Sequence, residues 1–194
     1  KLWELNRVSE EDFQAQKKFP LVLVLDSIRS LNNIGSFFRT ADAFNVELIY
    51  LCGITAQPPH RDIHKTALGA TETIRWEYRT SLMEALDELK ARGYAICVVE
   101  QAVETTLLQD VGKLTADGYA LVFGNEVDGV DQAALDCADH IIEIPQFGTK
   151  HSLNVRSKCG HVWHHHHHIG RLPSGIVVKP IPKPIVQYFN FALR

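Results

Sequence analysis

The sequence predicts an α/β protein with a mostly parallel sheet and helices on both faces. Three observations lead there. Short β-rich runs alternate with segments of helical period along most of the chain, Leu21 to Leu25 (LVLVL) is apolar without interruption, and Ser81 to Arg92 is an amphipathic helix set between such runs. An uninterrupted apolar run that ends at a charged residue, here Asp26, is the mark of a strand covered on both sides, as strands of parallel sheets are.

Taken in order, the first twenty residues allow a short helix or arm, and the first strand is Leu21 to Leu25. From Asn33 to Phe44, apolar residues at 34, 37, 38, 41 and 44 recur at helical spacing, with Asn33 as a candidate cap. Glu47 to Leu51 (ELIYL) is a second strand. The stretch GITAQPPHRDIHKTALGATET that follows carries two prolines and two glycines among basic and imidazole groups, so it reads as a long loop, and long loops in compact domains are usually functional. Ser81 and Glu84 form a capping-box pair for the next helix, and Gly93 supplies its left-handed terminus. Tyr94 to Val99 is a third strand and Tyr119 to Phe123 a fourth. A short helix from Asp131 to Ala138 leads to a fifth, His140 to Ile144, stopped by Pro145.

Composition narrows the class. With 194 residues and 45% hydrophobic content the chain can bury one sizeable core. It has no apolar run long enough for a membrane helix and no basic-then-apolar start of a signal peptide, which points to a cytoplasmic protein with no membrane partner. Four cysteines without a CxxC pair argue against both a disulfide framework and a zinc site, and no metal is expected. A formal net charge of -3 means that a nucleic-acid partner would have to be held by a local basic patch.

Ligands of parallel sheets bind beyond the C-terminal strand ends. There the sequence has neither a dinucleotide fingerprint nor a P-loop, but three other blocks: Asn32 to Thr40 (NNIGSFFRT), Phe123 to Gly129 (FGNEVDG), and Ile144 to Gly148 (IPQFG) continuing to His151 to Val155 (HSLNV). In the second, two glycines five apart around a carboxylate allow the backbone to approach a flat ligand closely. Each block alone also reads as an ordinary cap, turn or loop.

Together and in this order, NIGSFFRTADAF, LVFGNEVDGV and IEIPQFGTKHSLNV resemble the three motifs of the SpoU or TrmH family of RNA 2'-O-ribose methyltransferases, over Leu21 to Val155. The resemblance implies an α/β-knot fold, a homodimer, S-adenosyl-L-methionine as cofactor, and tRNA or rRNA as substrate. It also implies site residues. Arg39 takes the catalytic arginine position, with Asn33 and Asn154 as its motif-one and motif-three companions. Gly124, Asn125, Glu126, Gly129, Ile144, Pro145, Leu153 and Asn154 would surround the cofactor, and Glu100 at the end of the third strand is a further candidate. Arg29, Arg39, Arg61, Lys65 and Lys150, with His60 and His64, are candidates for the RNA patch, or else form a solvated loop face.

The pattern breaks after Val155. The family serine is replaced by Arg156, and polar Ser157 and Lys158 occupy a segment that the resemblance expects to be apolar, threaded through the knot and buried at the dimer interface. His164 to His168 then reads as a metal tract, a solvated tract, or part of a sequence altered from Arg156 onward, the last being favoured. The expected organisation is an arm at 1–20, the methyltransferase domain at 21–155, and an atypical segment at 156–194. The alternative function is a non-catalytic module that binds RNA or S-adenosylmethionine with a disrupted third motif.

Overall fold

The computed structural model describes residues 9–146 together with 154, 155, 158–160 and 162. Its centre is a seven-stranded sheet in which every pairing is parallel: β1 (Phe19–Asp26), β2 (Val46–Cys52), β3 (Trp76–Arg79), β4 (Ala95–Val99), β5 (Thr106–Leu107), β6 (Tyr119–Phe123) and β7 (His140–Glu143). The order across the sheet is β3-β2-β1-β6-β4-β7-β5. The chain runs outward from β1 through β2 to β3, then crosses to β4 and leaves the central slot for β6. That reversal puts a topological switch point at the C-terminal ends of β1 and β6, where Leu25 lies in register with Phe123.

Alternate residues of β1 explain why its sequence is apolar throughout. Leu21, Leu23 and Leu25 join one core with Phe37 and Phe38, while Val22 and Val24 join a second with Leu82, Leu86 and Leu89. The first core lies under α2 (Leu31–Ala43), α3 (Arg61–Ala67) and α4 (Ala70–Thr73); the second lies under α5 (Leu82–Ala91) and α6 (Gln132–Asp136). A short helix, α1 (Glu10–Ala15), capped by Ser9, precedes the sheet. No helix among the described residues is long and apolar enough to cross a membrane.

Several sequence expectations need correction. The stretch after β2 is not a featureless loop, because α3 and α4 form within it and β3 follows. Only Ile63 and Ala67 of α3 are buried, too few to show a helical period, and so short a helix is held by packing rather than propensity. β3 pairs only with β2, as an edge strand whose Trp76 and Tyr78 are half-buried against the first core, and four residues are too short a run to announce that alternation. A six-residue 3-10 helix, Leu108–Lys113, and the two-residue β5 also escape periodicity. Of the α5 expectation, the cap and the terminal glycine hold: Ser81 is the N-cap, accepting from the Glu84 N–H, and Gly93 has φ of 82°. The Glu84 carboxylate, however, receives the Thr80 hydroxyl.

Beyond β7, Val155, Cys159 and Val162 have helical backbone and are buried against the first core. Their spacing of four and then three residues is one stripe of a helix. After the third motif, Cys159 and Val162 are thus buried apolar positions near polar Lys158. The threading of a knot, Arg156, and the histidine run all lie outside the described residues.

Candidate functional site

Motifs one and two meet at the switch point, and the meeting is made by hydrogen bonds. α2 begins with Ser30 as N-cap, its hydroxyl accepting from the Asn33 N–H at 3.3 Å. This corrects the reading of Asn33 as the cap: it sits in the first turn, 6% exposed, and its side chain is free to reach across the sheet. Asn33 Nδ2 donates to Glu126 Oε1 at 2.9 Å, while the backbone N–H groups of Arg29 and Ser30 donate to the same carboxylate at 3.1 and 3.2 Å. A carboxylate at the start of α2 also answers the positive end of the helix dipole. Burial alone would raise the Glu126 pKa, but these donors outweigh it and hold the carboxyl below its usual range. Glu126 is ionised at neutral pH.

The loop that delivers Glu126 is fixed at its base by Asn125, which is 8% exposed. Its amide donates to the Ser27 carbonyl at 2.9 Å, and its Oδ1 accepts from the N–H groups of Val127 and Asp128. Gly129 closes the loop with φ of 74° and donates to the Asn125 carbonyl at 3.0 Å. Gly124 is required at the crossing, since a Cβ there would overlap the Gly129 carbonyl and the Val130 nitrogen.

On the motif-one side, Ser27 has a left-handed φ of 54°. A non-glycine residue there costs free energy and persists only when its surroundings over-determine it. They do so here: Ser27 N–H donates to Cys52 O, Ser27 O accepts from Asn125, and buried Thr55 bridges the Ile28 N–H and the Leu25 carbonyl at 3.0 Å each. Asp26 beside it has its pKa raised, by burial first and by nearby Asp131, against a lowering hydrogen bond from Ser27.

The other candidates divide into three groups. Gly124, Glu100 and Ile144 stand just past the ends of β6, β4 and β7, which are adjacent in the sheet. Glu100 takes the Gln101 N–H at 3.0 Å, pairs with Lys158 at 3.5 Å, and would lie 3.3 Å from a Cβ at Gly129. Ile144 and Pro145 are half-buried. The basic candidates are dispersed. Arg29 is exposed and faces Asp128 at 3.8 Å, Arg39 is exposed about 9 Å along α2 from Asn33, and Arg61 and Lys65 are exposed on α3. The structure does not bring the Arg39 side chain into contact with Asn33 or Glu126 among the described residues. Asn154 is exposed, its carbonyl accepting from the Lys158 N–H, while Leu153 and Lys150 lie outside the described residues.

α3 is tied to α2 closely. The Thr66 hydroxyl donates to the Asn32 carbonyl at 3.1 Å, and a Cβ at Gly35 would fall on Thr66 Oγ1 and the Ile63 carbonyl. Sequence reasoning missed Ser27, Ser30, Thr55 and Lys158. Ser30 carries a local signal, a serine three residues before the Asn33 N–H it caps; Ser27, Thr55 and Lys158 join the site through residues distant in sequence.

Residues 20–161 match the model of the SpoU rRNA Methylase family, which covers both converging motifs and runs past Arg156. The chain belongs to the SpoU rRNA Methylase family. Among curated family members, it is 34% identical over 157 residues to the 23S rRNA (guanosine-2'-O-)-methyltransferase RlmB of Vibrio cholerae serotype O1, covering 81% of this chain and 62% of the relative. It is 34% identical over 143 residues to the enzyme of the same name from Neisseria meningitidis serogroup B, covering 74% of this chain and 56% of the relative. The chain thus spans about three-fifths of the length of the curated relatives it matches. The fold is that of an AdoMet-bound rRNA methyltransferase from Sinorhizobium meliloti, with a TM-score of 0.71 at 20% identity over 82% of this chain and 61% of that one. A TrmH/SpoU tRNA modifying enzyme from A. aeolicus gives 0.69 at 21% identity over 93% of this chain and 92% of that one.

Proposed function

We propose that this chain methylates a ribose 2'-hydroxyl of tRNA or rRNA with S-adenosyl-L-methionine as methyl donor, as a cytoplasmic homodimer. One observation carries the reading: the motif-two carboxylate of Glu126 is hydrogen-bonded to the motif-one residues Arg29, Ser30 and Asn33, at the switch point of a parallel sheet in a member of this family. The ends of β6, β4 and β7 lie side by side there, with two loop glycines, half-buried Ile144 and Pro145, and the Glu100 carboxylate. An apolar floor with a few polar groups is what a nucleoside-bearing cofactor requires. Gly124, Asn125, Gly129, Ile144, Pro145 and Glu100 would hold it, with Leu153 and Asn154 closing the site.

When bound, the cofactor supplies a sulfonium-activated methyl group. The chain's own residues then have to position the attacking hydroxyl and ease the loss of its proton. Arg39 is a poor base, because a guanidinium loses its proton only above about pH 12. Its role is to fork onto the phosphate flanking the target ribose and stabilise the developing alkoxide. Glu126 and Asn33 fix the start of the helix that carries it. Arg29, Arg61, Lys65 and Lys150 supply the phosphate contacts.

One observation favours a second reading, a non-catalytic module: Lys158 occupies a position that the motif pattern leaves apolar, and its ammonium pairs with Glu100 at the strand ends proposed for the cofactor. Calorimetry with S-adenosylmethionine followed by methyl transfer to unmodified total RNA separates the two. Binding with transfer to a 2'-hydroxyl is the expected result; binding without transfer selects the second reading, and no binding refutes the enzyme reading. Sedimentation equilibrium tests the dimer.

A further inference from the structure

Away from the motif cluster, α3, α4 and β3 border an open cavity of about 470 Å³. That lies within the range of roughly 300–1,000 Å³ common to small-molecule sites. Neither Asn33 nor Glu126 borders it. Its walls include the rings of Pro58, Pro59 and Trp76, and its polar groups include His60, Arg61 and Glu72. Trp76 is half-buried, packed against the first core and lining the cavity. His60 Nδ1 accepts the Asp62 N–H at 3.2 Å, so the neutral imidazole carries its proton on Nε2.

An indole with two prolyl rings gives flat apolar surface, and a carboxylate, an imidazole N–H and a guanidinium give one acceptor and two donors. Unpaired RNA is recognised by such a set: bases stack on aromatic rings, their edges hydrogen-bond, and phosphates meet arginine. The cavity is also fixed relative to α2. Ile63 lines it, and the carbonyl of that same residue abuts Gly35 of α2. Packing of α3 on α2 therefore sets its distance from Arg39.

We propose that this cavity takes one unpaired nucleotide of the RNA substrate, separate from the nucleotide that is methylated. Its base stacks on Trp76, an N–H of the base edge donates to Glu72, and its phosphate meets Arg61. Each base can donate to Glu72, through an exocyclic amino group or, in uracil, the ring N3–H, so preference among bases follows their stacking on Trp76. The proposal rests on the RNA methyltransferase reading and specifies how the substrate is held.

The test follows the indole N–H resonances of the full chain, with that of Trp76 assigned by its loss in Trp76→Phe, during titration with trinucleotides of each single base. The expected result is a shift of the Trp76 resonance with the RNA trinucleotides, larger with adenine and guanine than with cytosine and uracil. In methyl transfer, Trp76→Ala and Glu72→Ala are expected to raise KM for RNA, Trp76→Ala by about five-fold or more, the scale of one stacked base. Glu72 is exposed, so its variant reads binding even if Trp76→Ala loosens β3. A Trp76 resonance indifferent to all four trinucleotides overturns the proposal, as do unchanged KM values in both variants. Wild-type methyl transfer measured alongside keeps the two readings apart. A shifted resonance without transfer sinks the enzyme reading and leaves an RNA pocket, while transfer without a shift sinks the pocket alone.

Discussion

Gly35→Ala sets helix propensity against packing. Within a helix, alanine is favoured over glycine by about 1 kcal/mol, so propensity alone makes this substitution stabilising. The structure gives the opposite sign. Gly35 is buried at the crossing of α2 and α3, and the new methyl would land on the Thr66 hydroxyl and on the Ile63 carbonyl, which is backbone and cannot rotate away. Forcing a methylene into a packed interior costs about 1–3 kcal/mol, and a backbone obstacle belongs at the upper end. The net expectation is a loss of about 2 kcal/mol. For a chain of this size that lowers Tm by about 4–8 °C, read by calorimetry or by the urea midpoint. Thr66→Ala in the Gly35→Ala background removes one obstacle and should recover part of the loss. A Tm equal to or above that of the parent would refute the crossing geometry. It would also remove the rigid link from the cavity to Arg39.

Arg39→Lys keeps the charge and loses the fork, so turnover should fall at least about ten-fold with S-adenosylmethionine affinity unchanged by calorimetry; full activity would exclude Arg39 from the role given to it. Glu126 has a folded pKa below its unfolded one, so its contribution to stability is present above the unfolded pKa and lost as pH falls through the folded one. Glu126→Gln should therefore flatten the acid limb of a Tm-versus-pH curve, and an unchanged limb would contradict the cluster. Lys158→Ala leaves Glu100 without its cation at a site where both side chains are about four-fifths shielded, and should lower stability by about 1 kcal/mol in a urea titration. Burial pushes the Cys52, Cys97 and Cys159 thiols up to about 12, so Ellman's reagent should titrate at most Cys137 in the native protein and all four in denaturant.

The sequence by itself determined the parts whose physical cause is local or periodic. The parallel sheet was legible because strands covered on both faces read as unbroken apolar runs, as β1 and β6 do. α5 was legible because its cap, stripe and terminal glycine lie within thirteen residues. The three motifs were legible as residue patterns, and with them the family. Only tertiary structure decided what has no local signature. α3 exists because it packs on α2, β3 because β2 offers it an edge, and Asn33 leaves the cap to Ser30 because Glu126, 93 residues away, takes its side chain. The roles of Thr55 and Lys158 depend likewise on partners 27 and 58 residues distant. Periodicity reports which face of an element is buried. It says nothing of which polar group waits on the other side of the sheet, and at this site those distant polar groups join motif one to motif two.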